Sequence, residues 1–253
     1  MIIDLLVIGF TLFGVKEILF KHNGIEISLH WVIMAFVIGY RTFELVPRIP
    51  FHPIEILVYA IIIRIIISGA IKYRKIPVAV TAISIFYVSF FIIDMLTRYN
   101  PILVNEFKNA FLLILVYFIT QHIHFHKDYI IRLFKTYLFA ASTISILGII
   151  EYLFPSFMSS LFGFEIEVAS IYGGSIFSRL AFLFWGSHLA ANLVPPIFPI
   201  LLLLKAEKDS ITNNKYYLTF LVITNLIAIY LSGNRISWLV LTTLLLITII
   251  QYR

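Results

Sequence analysis

Residues 216–232, YYLTFLVITNLIAIYLS, and residues 236–252, ISWLVLTTLLLITIIQY, are apolar runs joined only by Gly233-Asn234-Arg235. Each run holds about 17 residues, enough for a helix to cross the hydrocarbon core of a bilayer. So short a join reads as a tight turn between two neighbouring spans. Comparable runs lie near 2–20, 27–46, 54–71, 76–96, 102–120, 130–154 and 189–204. The sequence therefore predicts an all-α fold, a polytopic transmembrane helical bundle of about nine spans, forming one domain over residues 1–253.

Composition supports the lipid setting. The 253 residues are 61% hydrophobic and 13% charged, whereas soluble domains carry about 25% charge. A water-soluble fold of this length would lack the polar surface to cover itself. The net charge of +6 comes from lysines and arginines placed between apolar runs, not from a basic face interleaved with aromatics. Nucleic acid is therefore not an expected partner, and the lipid bilayer is. The chain has no cysteine, so disulfides, thiolate metal sites and cysteine nucleophiles are excluded. The N-terminus lacks a basic leader and carries Asp4; it reads as a first span and not as a signal peptide.

The basic residues also predict sidedness. One set of connections, including Lys21, Lys72, Arg74, Lys127 and Lys205, holds twelve lysines and arginines. The other set, Arg41, Arg48, Arg98, Lys108, Arg179 and Arg235, holds six. The richer set is expected in the cytoplasm, which puts the N-terminus outside and the C-terminus inside a multi-pass cytoplasmic (inner) membrane protein. Segment 155–188 is then the longest outer connection. It contains PSFMSS and GFEIEVASIYGGS, with Pro155, Gly163, Gly173 and Gly174 expected to break helices and mark turns.

Two outer arginines stand out. Arg179 precedes the seventh run and Arg235 lies in the last turn, on the same predicted face. A guanidinium is always charged, and its planar fork matches phosphate oxygens. Two of them at one mouth suit a diphosphate or an acidic sugar; each also fits the role of a snorkelling interfacial anchor. After Arg179, Gly186-Ser187 interrupts the apolar run, and Pro195, Pro196 and Pro199 fall within the next predicted span. A broken membrane helix is expected where protein or a wet cavity satisfies the freed backbone groups.

These segments bear a family resemblance. Ser178-Arg179, the Gly186-Ser187-His188 turn and Ala190-Ala191 are similar to the outer-loop arginine motif of the O-antigen ligase and O-antigen polymerase superfamily. Leu231-Ser232-Gly233-Asn234-Arg235-Ile236-Ser237-Trp238-Leu239 resembles that family's SGSRGAWL-type segment, with Asn234 and Ile236 departing from the usual serine and glycine. His188 stands where proline or asparagine is frequent. The resemblance is strongest over 140–253. It implies an architecture like the GT-C-type membrane glycosyltransferases, and a metal-independent enzyme without cofactor. Such an enzyme moves glycan from an undecaprenyl-diphosphate carrier to a sugar, lipid or protein acceptor at the outer face, in cell-surface polysaccharide assembly. Arg179 and Arg235 would hold the diphosphate and stabilise its developing charge. The acceptor hydroxyl needs a base, and Glu165, Glu167 and His188 are the candidates within reach of the outer face. Family members usually continue past the second motif with further spans and a large outer loop, so a chain that stops at Arg253 reads as truncated or as a short divergent member.

Other features invite weighing. His122, His124 and His126 suggest metal, but on a helix His124 faces away from the other two, so an interfacial role is expected. Arg64 lies among isoleucines in the third predicted span, where a charge is costly and usually paired; Asp94 and Glu55 are the candidate partners. A buried charge also suits a secondary transporter or flippase for a lipid-linked or anionic solute. That rival would need inverted repeats and matching broken helices, and a broken run occurs only in the C-terminal half. A non-catalytic membrane subunit is the remaining alternative.

Overall fold

A computed structural model describes residues 2–35, 37, 43–46, 49–68, nine positions between 82 and 97, 114–121, 123, 125–162, 169–172, 175–178, 196–206, 208, 214–232 and 235–251. Their class is helical. The labelled helices are α1 (Ile2–Phe20), α2 (Gly24–Ala35), α3 (Pro53–Ile67), α4 (Lys127–Leu153), α5 (Pro155–Phe162), α6 (Ile197–Ala206), α7 (Lys215–Ser232) and α8 (Arg235–Gln251). Two small antiparallel hairpins lie in connections: β1 (Phe43–Val46) with β2 (Ile49–Phe51), and β3 (Ala169–Tyr172) with β4 (Ser175–Ser178). Among the described residues one helix, α4, is long and apolar enough to cross a membrane.

The chain divides into two compact units. The first comprises 1–7, 33–42 and 126–253, and the second 8–32 and 43–125. In the second unit, the Trp31 ring of α2 meets the rings of Phe10 and Phe13 of α1 edge-on, at centroid distances of 4.9 and 5.6 Å. A β-carbon at Gly14 of α1 would sit 2.8 Å from a Leu57 methyl of α3 and 3.1 Å from the Trp31 ring. The missing side chain is what lets the three helices close. Further along, the Arg64 guanidinium of α3 donates to the Lys21 carbonyl at 3.1 Å, just past the end of α1. Both contacts join residues 43 positions apart. The constant offset means that α1 and α3 run in the same direction, with α2 between them in the chain.

The first unit packs four helices around one apolar core. Leu138 and Ala141 of α4 meet Ile197 and Leu204 of α6, Ile229 of α7 and Leu241 of α8. α4 starts at Lys127 with Asp128 in its first turn, where a negative charge suits the positive helix end. It stops at Leu153 because Phe154 precedes Pro155, and the residue before proline is driven out of the helical region. α7 is started by Asn214, whose side-chain oxygen accepts from the amides of Tyr216 and Tyr217 at 3.0 and 3.4 Å.

Two sequence expectations need correction. The second run was expected to be helical to 46, yet α2 ends at Ala35 and Phe43–Val46 is a strand. Val46 precedes Pro47 and Ile49 precedes Pro50, and both are biased toward extended backbone. Pro155 ends α4, as expected, and is also the first residue of α5, a position where its missing N–H costs nothing. Pro199 does not interrupt a span in the described residues: α6 begins at Ile197, and Pro199 lies in its first turn.

Candidate functional site

Arg179, His188, Glu165 and Glu167 lie outside the described residues, as does the side chain of Arg235. The ordered elements that border them are described. β3 and β4 pair from Ala169↔Ser178 to Tyr172↔Ser175, with Gly173-Gly174 as the connection. A two-residue link in which both residues are glycine suits a tight hairpin. The hairpin sets its entry and exit side by side. Glu167 is two residues before its base and Arg179 is one residue after it. Arg235 is the first residue of α8, three residues beyond Ser232, the last of α7.

The polar interior of the first unit was not apparent in the sequence. Ser145 of α4 and Asn225 of α7 are fully buried and joined by a 2.7 Å hydrogen bond. The Asn225 amide nitrogen donates to the Leu221 carbonyl at 2.6 Å, which fixes the orientation of the amide. Its oxygen must then accept, and the Ser145 hydroxyl must donate. The same hydroxyl lies 2.9 Å from the Ala141 carbonyl of its own helix, a second acceptor within one turn. Ser142 is also buried, and its hydroxyl has no hydrogen-bond partner in the structure. Glu151 is 3% exposed, in the last turn of α4.

Arg64 is placed differently from expectation. It lies in the last turn of α3, which ends at Ile67 with Ser68 as cap, and not mid-helix. Its charge there offsets the negative end of α3, and its bond to Lys21 ties it to the end of α1. Glu55 is not its counter-ion: nine residues separate them, about 13 Å along a helix. The Glu55 carboxylate accepts from the His52 amide at 3.1 Å, and the His52 ring nitrogen Nδ1 accepts from the Ile54 amide at 3.1 Å. That reciprocal pair caps α3. Asp94 lies outside the described residues. Of the histidine run, His126 is the residue just before α4, with its ring 6.0 Å from that of Tyr129; His122 and His124 lie outside the described residues.

The surface inverts the usual pattern of a soluble fold. Leu6, Leu12, Phe20, Ile67, Leu239 and Ile250 are each more than 60% exposed, while Ser28, Ser145, Asn225 and Ser237 are fully buried. Threonine hydroxyls turn inward to their own helices. Thr143 donates to Phe139, Thr224 to Phe220, Thr242 to Trp238 and Thr248 to Leu244, at 2.7–2.9 Å. Polar groups satisfied without water are what a helix in lipid requires.

No protein-family model, curated protein or solved structure matches the chain.

Proposed function

We propose that this chain is a multi-pass protein of the cytoplasmic membrane, with about nine spans and a cytoplasmic C-terminus. We further propose that it acts as a metal-independent glycosyltransferase of the O-antigen ligase/polymerase type. The membrane reading is supported by α4, by the exposed apolar helix faces and by the back-bonded threonines. The observation that supports the enzymatic reading is where the two arginines fall in the sequence relative to the described elements. Arg179 leaves the base of a closed hairpin and Arg235 opens a helix after a two-residue connection. In the chain each arginine thus adjoins a defined element, and a charge site on defined elements suits this chemistry.

In this reading the acceptor hydroxyl attacks the anomeric carbon of the carrier-linked glycan. The bond from that carbon to the diphosphate oxygen breaks, and negative charge grows on the leaving undecaprenyl diphosphate. The Arg179 and Arg235 forks stabilise that charge, and removing one such preorganised donor costs about 10²–10³ in rate. Arg64, the residue that favoured a carrier, bonds the Lys21 carbonyl from the last turn of α3.

The test is glycan polymerisation and ligation in membranes carrying Arg179→Ala or Arg235→Ala. Each substitution is expected to abolish the product while the chain stays at normal abundance in the membrane. Unchanged glycan length and attachment in both variants refutes the site. Solute uptake by vesicles holding the purified chain, without glycan transfer, replaces it with the carrier.

A further inference from the structure

Resting on the membrane reading, we propose that the meeting point of α1 and α3 binds an anionic phospholipid, with the Arg64 guanidinium as the contact for its phosphate. Arg64 Nη2 donates to the Lys21 carbonyl at 3.1 Å, at the exposed surface of the second unit. That bond holds the planar fork where the end of α3 meets the end of α1, and it uses one of the five guanidinium hydrogens. No carboxylate of the described residues pairs with Arg64. The carboxylate that α1 brings to this end, Glu17, is committed to the Lys21 ammonium. The end of α3 contributes about half a negative charge, which offsets only part of a full guanidinium charge.

The surroundings fit a lipid better than a soluble anion. Phe20, next to Lys21, is 80% exposed, and Ile67 of α3 is 70% exposed. Ile67 lies three residues beyond Arg64 and shares its side of the helix, and the exposed Ile63 adjoins Arg64 on the other side in the chain. The cation is thus flanked on both helices by apolar side chains that face hydrocarbon in a membrane. A ligand that covers both kinds of surface has a negative head and apolar tails.

Charge selects among such ligands. A guanidinium fork engages two phosphate oxygens at once. The Lys21 ammonium, on a side chain 56% exposed, adds a second positive group. A zwitterionic lipid carries the same phosphate but brings an ammonium of its own, so a net negative head complements the site better. In the proposed orientation this end of α1 and α3 lies at the cytoplasmic leaflet, where anionic lipids attract cations placed beside a span.

The experiment titrates dioleoyl-phosphatidylglycerol, dioleoyl-phosphatidylcholine and inorganic phosphate into the full chain in neutral detergent. Bound lipid is counted by native mass spectrometry, and Tm is read in parallel. Phosphatidylglycerol is expected to bind at least about ten-fold more tightly than phosphatidylcholine and to raise Tm. Arg64→Gln should weaken phosphatidylglycerol about ten-fold or more, the scale of one charge-assisted hydrogen bond, and leave phosphatidylcholine within about three-fold. Lys21→Gln keeps the Lys21 carbonyl and should weaken phosphatidylglycerol about five-fold. Lys215→Gln, at an exposed lysine of the first unit, should leave it unchanged. If Arg64→Gln lowers Tm equally with and without lipid and keeps the affinity, Arg64 is structural and the proposal is overturned. Phosphatidylcholine binding as tightly as phosphatidylglycerol overturns it too, and so does inorganic phosphate binding as tightly as the lipid, which reassigns the cations to a soluble anion. If Arg64→Gln is recovered only as aggregate, Lys21→Gln decides, and an unchanged affinity there overturns the proposal. A chain that does not enter lipid nanodiscs refutes the membrane reading; one that enters them without preference for phosphatidylglycerol refutes the lipid site alone.

Discussion

Removing the hydroxyl of Ser145 should cost more than removing the whole amide of Asn225. The Asn225 oxygen accepts from Ser145, and its nitrogen is committed to Leu221. Ser145→Ala leaves a fully buried carbonyl oxygen without a donor, a loss of about 1–3 kcal/mol. Asn225→Leu keeps the number of heavy atoms and replaces both polar amide atoms with methyl groups. Ser145 can then donate to Ala141, already at 2.9 Å, so no polar atom is orphaned. The remaining cost is the interhelical hydrogen bond itself, about 0.6 kcal/mol on average and up to about 1.7 in membrane helices, partly offset by the added apolar contact. The double variant should recover most of the Ser145→Ala loss, giving a coupling energy of about 1 kcal/mol or more. Equilibrium unfolding of the four chains in mixed micelles measures all three differences. A neutral Ser145→Ala, or a strictly additive double variant, would refute the assigned direction of the hydrogen bond.

Gly24→Ala should disrupt the join between α1 and α2, because its β-carbon would land on the Ile18 carbonyl oxygen, a backbone atom that cannot step aside. Thermal melting followed by size-exclusion fluorescence should show a lower Tm; Gly14→Ala should be milder, since the nearest atom it meets is a movable Leu57 methyl. The absence of cysteine gives a clean test of sidedness: with a membrane-impermeant maleimide on intact cells, Ser175→Cys should label directly and Ser210→Cys only after permeabilisation. The reverse pattern would move Arg179 and Arg235 to the cytoplasmic face and sink the proposed site.

The long apolar runs made most helices legible, because their pattern is set locally. α1 spans residues 2–20, as read from the sequence, and α4, α7 and α8 lie within a few residues of their runs. What failed was read from averages. The window over 27–46 was apolar enough to hide a strand, although Pro47 and Pro50 were there to signal extended backbone. The run over 54–71 made Arg64 look central, because hydropathy does not see the cap at Ser68. Glu55 was offered to Arg64 because a histidine N-cap is not an ordinary signal, and the His52–Glu55 reciprocity emerges only with the ring in place. The Ser145–Asn225 bond joins residues 80 positions apart, and no periodicity carries that information. Of the candidate site, the two arginines were visible as local motifs.

The same comparison bears on which solvent the helices meet. In water, a helix turns its polar residues outward and its apolar stripe inward, so Ser145, Asn225 and Ser237 would lie outside and Leu239, Leu246 and Ile250 inside. The structure has them the other way round. Exposing Leu, Ile and Phe side chains to water costs about 1.5–3 kcal/mol each, and no burial of serine or asparagine offsets that. In lipid the argument reverses. The exposed side chains meet hydrocarbon at no cost, and the scarce polar groups gain by finding one another, as Ser145 and Asn225 do, or their own backbone, as Thr143 and Thr248 do. A buried carboxylate such as Glu151 is then the most expensive group in the first unit.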